Sequence, residues 1–276
     1  MNMISVRSAS FSYDGVNVFH DINFDLEQGG ILCLFGPNGC GKTTLLDNIL
    51  GHLEPEEGSI IIDGKELGRY SHREIARKIA YVPQVHERTF PHRVIDIVVM
   101  GRTPYLSPYS SPGREDYMIA ENALEMAGIT QLKDRLYTRL SGGETQLVIL
   151  ARALAQNAPI IIMDEPASHL DFRHELLLLE TVAGLVEKNN LSILVSTHSP
   201  NHAFYFENRG LPVRVAMMAE RRIIFMGTPG DVITEEKMKR VFNINTKVFT
   251  GNGAENSKMK FIVPVGAANR GDSGEE

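Results

Sequence analysis

Apolar and polar positions alternate through Ile4–Tyr13 and Ile22–Leu26, the period of strands with one buried face. Ile31–Phe35 is apolar throughout, as is Ile160–Met163, and Ser192–Val195 is nearly so. Such runs predict strands buried on both faces of a parallel sheet. A further run, Ile60–Ile62, ends in Asp63-Gly64, a turn pair. Ser71 then stands as the N-cap of a helix, and Glu74 three residues later completes a capping box. From Thr89 to Tyr137 the pattern turns helical, with helices predicted at Val94–Gly101 and Arg114–Ala127. A Pro-, Ser- and Tyr-rich loop, Thr103–Gly113, separates them. A long helix, Arg173–Lys188, lies between the last two apolar runs. Strand and helix in alternation predict an α/β fold with a parallel sheet covered on both faces and a helical insertion. The tail Gly266–Glu276 is small and polar, so it is expected to be mobile.

One loop brings chemistry to this frame. Gly36-Pro37-Asn38-Gly39-Cys40-Gly41-Lys42-Thr43 fits G-x-x-x-x-G-K-[ST], follows the strand Ile31–Phe35 and precedes the helical run Thr44–Leu50. Glycines let the backbone wrap a phosphate with N–H groups pointing inward, and the helix N-terminus adds its positive end. Lys42 then reaches the β- and γ-phosphates, and Thr43 ligates Mg²⁺. The run Ile160–Met163 ends in Asp164-Glu165. The carboxyl edge of a parallel sheet faces the ligand crevice. Asp164 there would hold Mg²⁺, and Glu165 would act on the attacking water as general base. The expectation is a P-loop NTPase using ATP and Mg²⁺.

Net charge, -6, argues against bulk nucleic acid as partner. The pair Arg221-Arg222 reads as a solvated turn. Cys33 in an apolar strand and Cys40 in the glycine loop do not suggest a disulfide, which fits a reducing cytoplasm. The N-terminus lacks the basic and apolar regions of a signal peptide, and no apolar run is long enough to span a bilayer.

Leu140-Ser141-Gly142-Gly143-Glu144, some 20 residues ahead of the acidic strand end, resembles the signature motif of the ABC ATPases. Other positions stand in that family's order. Tyr13 resembles its adenine-stacking aromatic, Gln84 its Q-loop glutamine, Ser168-His169-Leu170-Asp171 its D-loop and His198 its switch histidine. The resemblance runs from about Met3 to Met238. It implies a RecA-like core with an N-terminal antiparallel β-subdomain, an ATPase domain over 3–240 with a helical subdomain near 85–157, and a C-terminal extension over 241–276. It implies that Gly36–Thr44 and Tyr13 bind ATP, and that Gln84 joins Thr43 and Asp164 at the metal. It also implies that Lys42, Gln84, Glu165 and His198 serve hydrolysis. Ser141, Gly142 and Gly143 would cover the nucleotide of a second copy in a homodimer. Three departures stand out: Glu144-Thr145-Gln146-Leu147 replaces a common Gln-Arg-Gln-Arg, Ala167 replaces Thr, and Ser199-Pro200 follows His198.

Ala80–Gln84, Val94–Tyr105 with its Gly-Arg-x-Pro element, and Pro166–Asp171 look like the import ATPases for iron-siderophore, haem and cobalamin complexes. That resemblance implies integral-membrane permease partners, an extracytoplasmic binding protein acting indirectly, and a peripheral place on the cytoplasmic face of the membrane. The segment Thr89–Tyr105 is the expected docking surface, with Arg102 and Tyr105 free at the helix end. Molybdate or tungstate importers share these features, and a soluble ABC protein of iron–sulfur assembly is a rival reading. A P-loop kinase or GTPase is disfavoured by the Leu140–Glu144 motif and by the absence of an N-K-x-D-like run.

Overall fold

The computed structural model describes residues 1–84, 91–252 and 258–268. In chain order, β1 (Asn2–Tyr13) and β2 (Val16–Glu27) lead to β3 (Ile31–Phe35) and α1 (Lys42–Ile49). Then follow β4 (Glu57–Ile62), β5 (Lys65–Glu66), α2 (His72–Lys78) and β6 (Ile79–Val82). α3 (Val94–Val99), α4 (Arg114–Met126) and α5 (Gly142–Ala155) intervene before β7 (Ile160–Asp164). The chain continues through α6 (Phe172–Asn189), β8 (Ser192–Thr197), α7 (Pro200–Asn208), β9 (Val213–Ala219) and β10 (Arg222–Gly227). α8 (Pro229–Val232), α9 (Glu235–Phe242), β11 (Ile244–Asn252) and β12 (Lys258–Ala267) complete it.

The strands form an antiparallel sheet in the order β2-β1-β4-β5, a six-stranded sheet in the order β10-β9-β3-β8-β7-β6, and a hairpin of β11 with β12. In the large sheet β9, β3, β8, β7 and β6 run parallel, and β10 is antiparallel at one edge. β2 starts earlier than its alternation predicts, because register shifts against β1 between Val6 and Phe11 break the period of two. Asp63 (φ 49°) and Gly64 (φ 77°) make the expected turn, and Ser71 and Glu74 close the expected capping box. Arg221 (φ 63°) lies in the exposed β9–β10 turn.

The large sheet is the middle layer of three. All of β3 is buried. Ile31, Cys33 and Phe35 pack into the helical layer, while Leu32 and Leu34 face α1, α2 and the antiparallel sheet. β7 divides the same way, Ile161 and Met163 to one side and Ile160 and Ile162 to the other. Each such side chain contributes roughly 1.5–3 kcal/mol of burial. Apolarity on both faces is the reason these strands carry no alternation.

α3 stops at Val99, and Met100–Tyr105 tightens into a 3₁₀ segment. Pro104 has no N–H to bond the Met100 carbonyl in α fashion, and the Thr103 hydroxyl bonds that carbonyl instead at 2.6 Å. Val94, Ile97 and Val98 belong to the core. Arg102 is not free at the helix end: it is 8% exposed, and its guanidinium donates to Asp116 Oδ1 and to the Ala155 carbonyl, both at 3.1 Å. It also lies 4.1 Å above the centre of the half-buried Tyr105 ring. Arg73 and Arg77 hold the Pro104 carbonyl at 2.8 and 3.0 Å. This corrects the expectation for Arg102, which locks the 3₁₀ segment to α4 and α5 instead of standing free at the helix end; Tyr105 stays partly exposed. Thr89 and Phe90 of the expected docking segment lie outside the described residues.

Gly266 and Ala267 belong to β12, and the rest of the expected mobile tail, beyond residue 268, lies outside the described residues. The hairpin is fastened to α7 by two asparagines two helical turns apart. Asn201 and Asn208 each donate to and accept from the backbone of one β12 residue, Ile262 and Lys260, at 2.9–3.1 Å.

Candidate functional site

The parallel strands end side by side: Val82 pairs with Met163, Asp164 with Ser196, and Phe35 with Thr197. The residues that follow them therefore converge. The loop after β3 passes so close to β9 that a Cβ on Gly36 would run into the Met218 carbonyl. Gly41 (φ 100°) caps α1 in a conformation that suits glycine. Lys42 is 6% exposed, and its ammonium donates to the carbonyls of Gly36 and Pro37 at 3.0 and 3.2 Å. It also lies 3.5 Å from Glu165 Oε1.

Thr43 Oγ1 donates to Asp164 Oδ2 at 2.9 Å. Asp164 is 2% exposed, and its other oxygen accepts from Ser196 Oγ at 2.5 Å. The Ser196 hydroxyl in turn accepts the Glu165 N–H at 2.9 Å. Glu165 sits at φ 43°, a left-handed conformation costing on the order of 1 kcal/mol or more in a non-glycine residue, and the turn swings its carboxylate out of the strand. Gln84 Nε2 donates to Glu165 Oε2 at 3.2 Å, and His198 Nδ1 lies 3.6 Å from the same oxygen. One carboxylate thus faces an ammonium, an amide and an imidazole. Sequence reasoning missed Ser196; a hydroxyl one residue short of a buried strand's end was the only signal.

Thr43 and Asp164 offer hard oxygens, the donor chemistry of Mg²⁺. No group of three or more His, Cys, Asp or Glu capable of holding a metal occurs among the described residues. Mg²⁺ commonly takes only one or two protein oxygens, with phosphate and water completing its octahedron, so the residues present fit it. Cys40, in the loop, is buried and has its thiol pushed up by that burial; the thiol of Cys33, inside the sheet, is pushed up to about 12 by burial. Both are free thiols.

Ser141, Gly142 and Gly143 open α5, a separate helix. Ser141 Oγ accepts from the Glu144 N–H and Glu144 Oε2 from the Ser141 N–H, and Arg135 pairs with Glu144 at 2.8 Å. Gly143 lies under the His174 ring, where any Cβ would collide. Tyr13 is 49% exposed at the end of β1, edge-on to Phe11. The following strand runs past the cradle, with the Val18 carbonyl against Gly41. Lys42, Thr43, Gln84, Asp164, Glu165 and His198 are therefore joined by direct contacts, whereas the Ser141–Gly143 turn is held by partners of its own.

The ABC transporter family profile matches residues 19–168, from within β2 to Ser168, just past the end of β7. The chain belongs to the ABC transporter family. Within that family it is 34% identical over 242 residues to the molybdate import ATP-binding protein MolC of Haemophilus influenzae, covering 87% of this chain and 88% of that protein. It is 35% identical over 253 residues to the hemin import ATP-binding protein HmuV of Bordetella pertussis, covering 89% and 94%. Among solved ABC structures, a metal-chelate type transporter in an inward-facing conformation superposes with a TM-score of 0.83 at 31% identity, covering 96% of this chain and 97% of that one. No helix among the described residues is long and apolar enough to cross a membrane.

Proposed function

We propose that this chain binds ATP with Mg²⁺ and hydrolyses it to drive import of an iron-siderophore, haem, cobalamin or similar metal complex. The observation that carries the reading is Glu165, held among Lys42, Gln84 and His198 beside the Thr43–Asp164 pair. Backbone N–H groups of Gly36–Thr44 and the Lys42 ammonium bind the phosphates, and Tyr13 stacks on adenine. Thr43, Asp164 and Gln84 would hold Mg²⁺, which supplies charge neutralisation at the β- and γ-phosphates. Glu165 orients a water and takes its proton as the water oxygen bonds to the γ-phosphorus. The bond from that phosphorus to the bridging oxygen breaks, leaving ADP and phosphate. His198 touches the γ-phosphate.

Ser141, Gly142 and Gly143 close over the nucleotide of a second copy, giving a C₂ dimer with two sites. The ATPase domain spans 3–240 with its helical subdomain near 85–157, and 241–276 form a C-terminal extension. The cleft that Met100, Thr103 and Pro104 line with His52, His72 and Tyr81, about 390 Å³, suits a segment of the membrane subunit. The chain then sits peripherally on the cytoplasmic face, and cargo choice belongs to the permease and its extracytoplasmic binding protein. Molybdate or tungstate import is the second reading, supported by the likeness to MolC.

Glu165→Gln tests the assignment. The variant is expected to bind ATP normally and to lose on the order of 10² to 10⁴ in turnover. It should also accumulate an ATP-bound dimer, visible by size-exclusion chromatography. Near-normal hydrolysis would overturn the reading.

A further inference from the structure

His198 follows the last residue of β8, and its ring is half exposed beside Glu165. The backbone around it is held from below by buried groups that no motif names. The Ser199 N–H donates to Thr197 Oγ1 at 3.0 Å. That same hydroxyl lies 2.8 Å from His202 Nδ1, and His202 Nε2 lies 2.5 Å from Glu175 Oε1. Thr197 is 3% and His202 6% exposed.

We propose that Glu175, His202 and Thr197 form a directional hydrogen-bonded chain that positions His198 against Glu165. This rests on the reading of Glu165 and His198 given above.

Donor and acceptor logic fixes the direction. An ionised carboxylate only accepts, so His202 carries a proton on Nε2 and donates it to Glu175. In a neutral imidazole Nδ1 then accepts, and the Thr197 hydroxyl donates to it. The Thr197 oxygen keeps a lone pair for the Ser199 N–H. Burial favours the neutral ring and holds the His202 pKa below its ordinary value, against the opposing pull of Glu175. Among the described residues, the charged or titratable groups facing His202 are Glu175 from α6 and His198 after β8. α9 and the hairpin present Met238, Phe242, Thr246 and Ile262, none of them charged.

The chain also has an origin that suits a coupling role. Glu175 lies in the first turn of α6, whose N-cap is Asp171 of the D-loop segment. Its neighbour His174 is held by Asp171 at 2.9 Å and covers Gly143. Two successive residues of one helical turn therefore touch the signature glycine and the support of the switch histidine. A rigid displacement of that turn moves both.

A double-mutant cycle on the full-length chain tests the proposal, with ATP turnover as readout. Thr197→Val keeps the shape and removes the hydroxyl. It is expected to lower kcat by about 10- to 100-fold, as misplacement of a catalytic group does, with KM for ATP within about twofold. Thr197→Ser should restore kcat to within about twofold. In a His198→Ala background Thr197→Val should have no further effect, because its target is gone. Should Thr197→Val fail to fold, the same cycle is run with His202→Gln, with the same expectation. If His198→Ala is deficient and the second substitution adds its full loss, the inference fails and the reading of His198 stands. Unchanged kcat in a folded Thr197→Val chain, or a raised KM at constant kcat, also overturns the inference alone. Unchanged turnover in His198→Ala overturns the reading of His198 and the inference with it.

Discussion

Two helix starts in this chain present glycine and uncommitted backbone N–H groups, and their surroundings differ. At α1 the loop Gly36–Gly41 lies against the ends of parallel strands, and Lys42, Thr43, Asp164, Glu165, Gln84 and His198 converge on it. At α5 the turn Ser141–Gly143 is held by its own capping box, by Arg135 and by the His174 ring. Both starts have the local physics of an anion nest. Only the first has an ammonium and the Thr43–Asp164 oxygen pair within reach; the carboxylate at the second, Glu144, is spent on its own capping box. Helix geometry supplies N–H groups at both starts, while the ends of the parallel sheet bring Asp164, Glu165 and His198 alongside the first alone. On the function proposed above, the second start serves the nucleotide of a second copy.

The sharpest break in this comparison comes from one substitution at each start. Lys42→Ala is expected to remove hydrolysis by on the order of 10² to 10³, since it deletes the cation aimed at developing phosphate charge. Ser141→Arg should leave ATP binding by the single chain intact and abolish ATP-dependent dimerisation, measured in the Glu165→Gln background by sedimentation velocity. Dimers mixed from Lys42→Ala and Ser141→Arg chains should then recover at most one working site. Weakened ATP binding by a monomeric Ser141→Arg chain would mean that both nests serve the same nucleotide.

A smaller effect probes how the second nest is held in place. Arg102 ties the 3₁₀ segment to Asp116 of α4 and to the end of α5, the helix that begins with the nest. Arg102 is buried, and its partner Asp116 is partly exposed and keeps the Gly113 N–H, so Arg102→Ala is expected to cost about 1–3 kcal/mol in urea unfolding, mostly from lost hydrogen bonds. A loss under about 1 kcal/mol, the worth of a surface pair, would mean that α4 and α5 are oriented by apolar packing alone.

The smallest expected effect lies beneath the cradle. His202 has its pKa lowered, first by burial. The unfolded chain therefore takes up that proton more readily than the folded one. Stability from the neutral ring is intact above the ordinary histidine value and falls as pH drops below it, toward the folded value. The urea midpoint should decline between pH 7.5 and 5.5, and His202→Gln should flatten part of that decline. An identical decline in the variant would assign it to other groups.

Much of the cradle was legible because its residues are contiguous and its strand is apolar on both faces. Gly36–Thr43 follows Ile31–Phe35 directly, so sequence spacing is spatial spacing there. Asp164 and Glu165 were legible for the same reason, as polar residues ending a buried run. Ser196 was not, because a serine one residue before a strand's end becomes a ligand of Asp164 only through the register of β7 with β8. Arg102 was misjudged because a basic residue near a helix end usually reaches solvent. Only the packing of α4 and α5 around it makes it a buried anchor.

By itself the sequence determined most elements up to β8 and the residue types at each motif, since caps, turns and glycine loops are fixed by residues a few positions apart. The tertiary structure decided which motifs meet. Lys42, Gln84, Glu165 and His198 come from four separate stretches of chain, and only parallel strands in the order β3-β8-β7-β6 set their ends side by side. It also decided that Thr197, His202 and Glu175 align their donors and acceptors. A hydrogen bond's worth depends on distance and direction between groups far apart in the chain, and no local pattern encodes either.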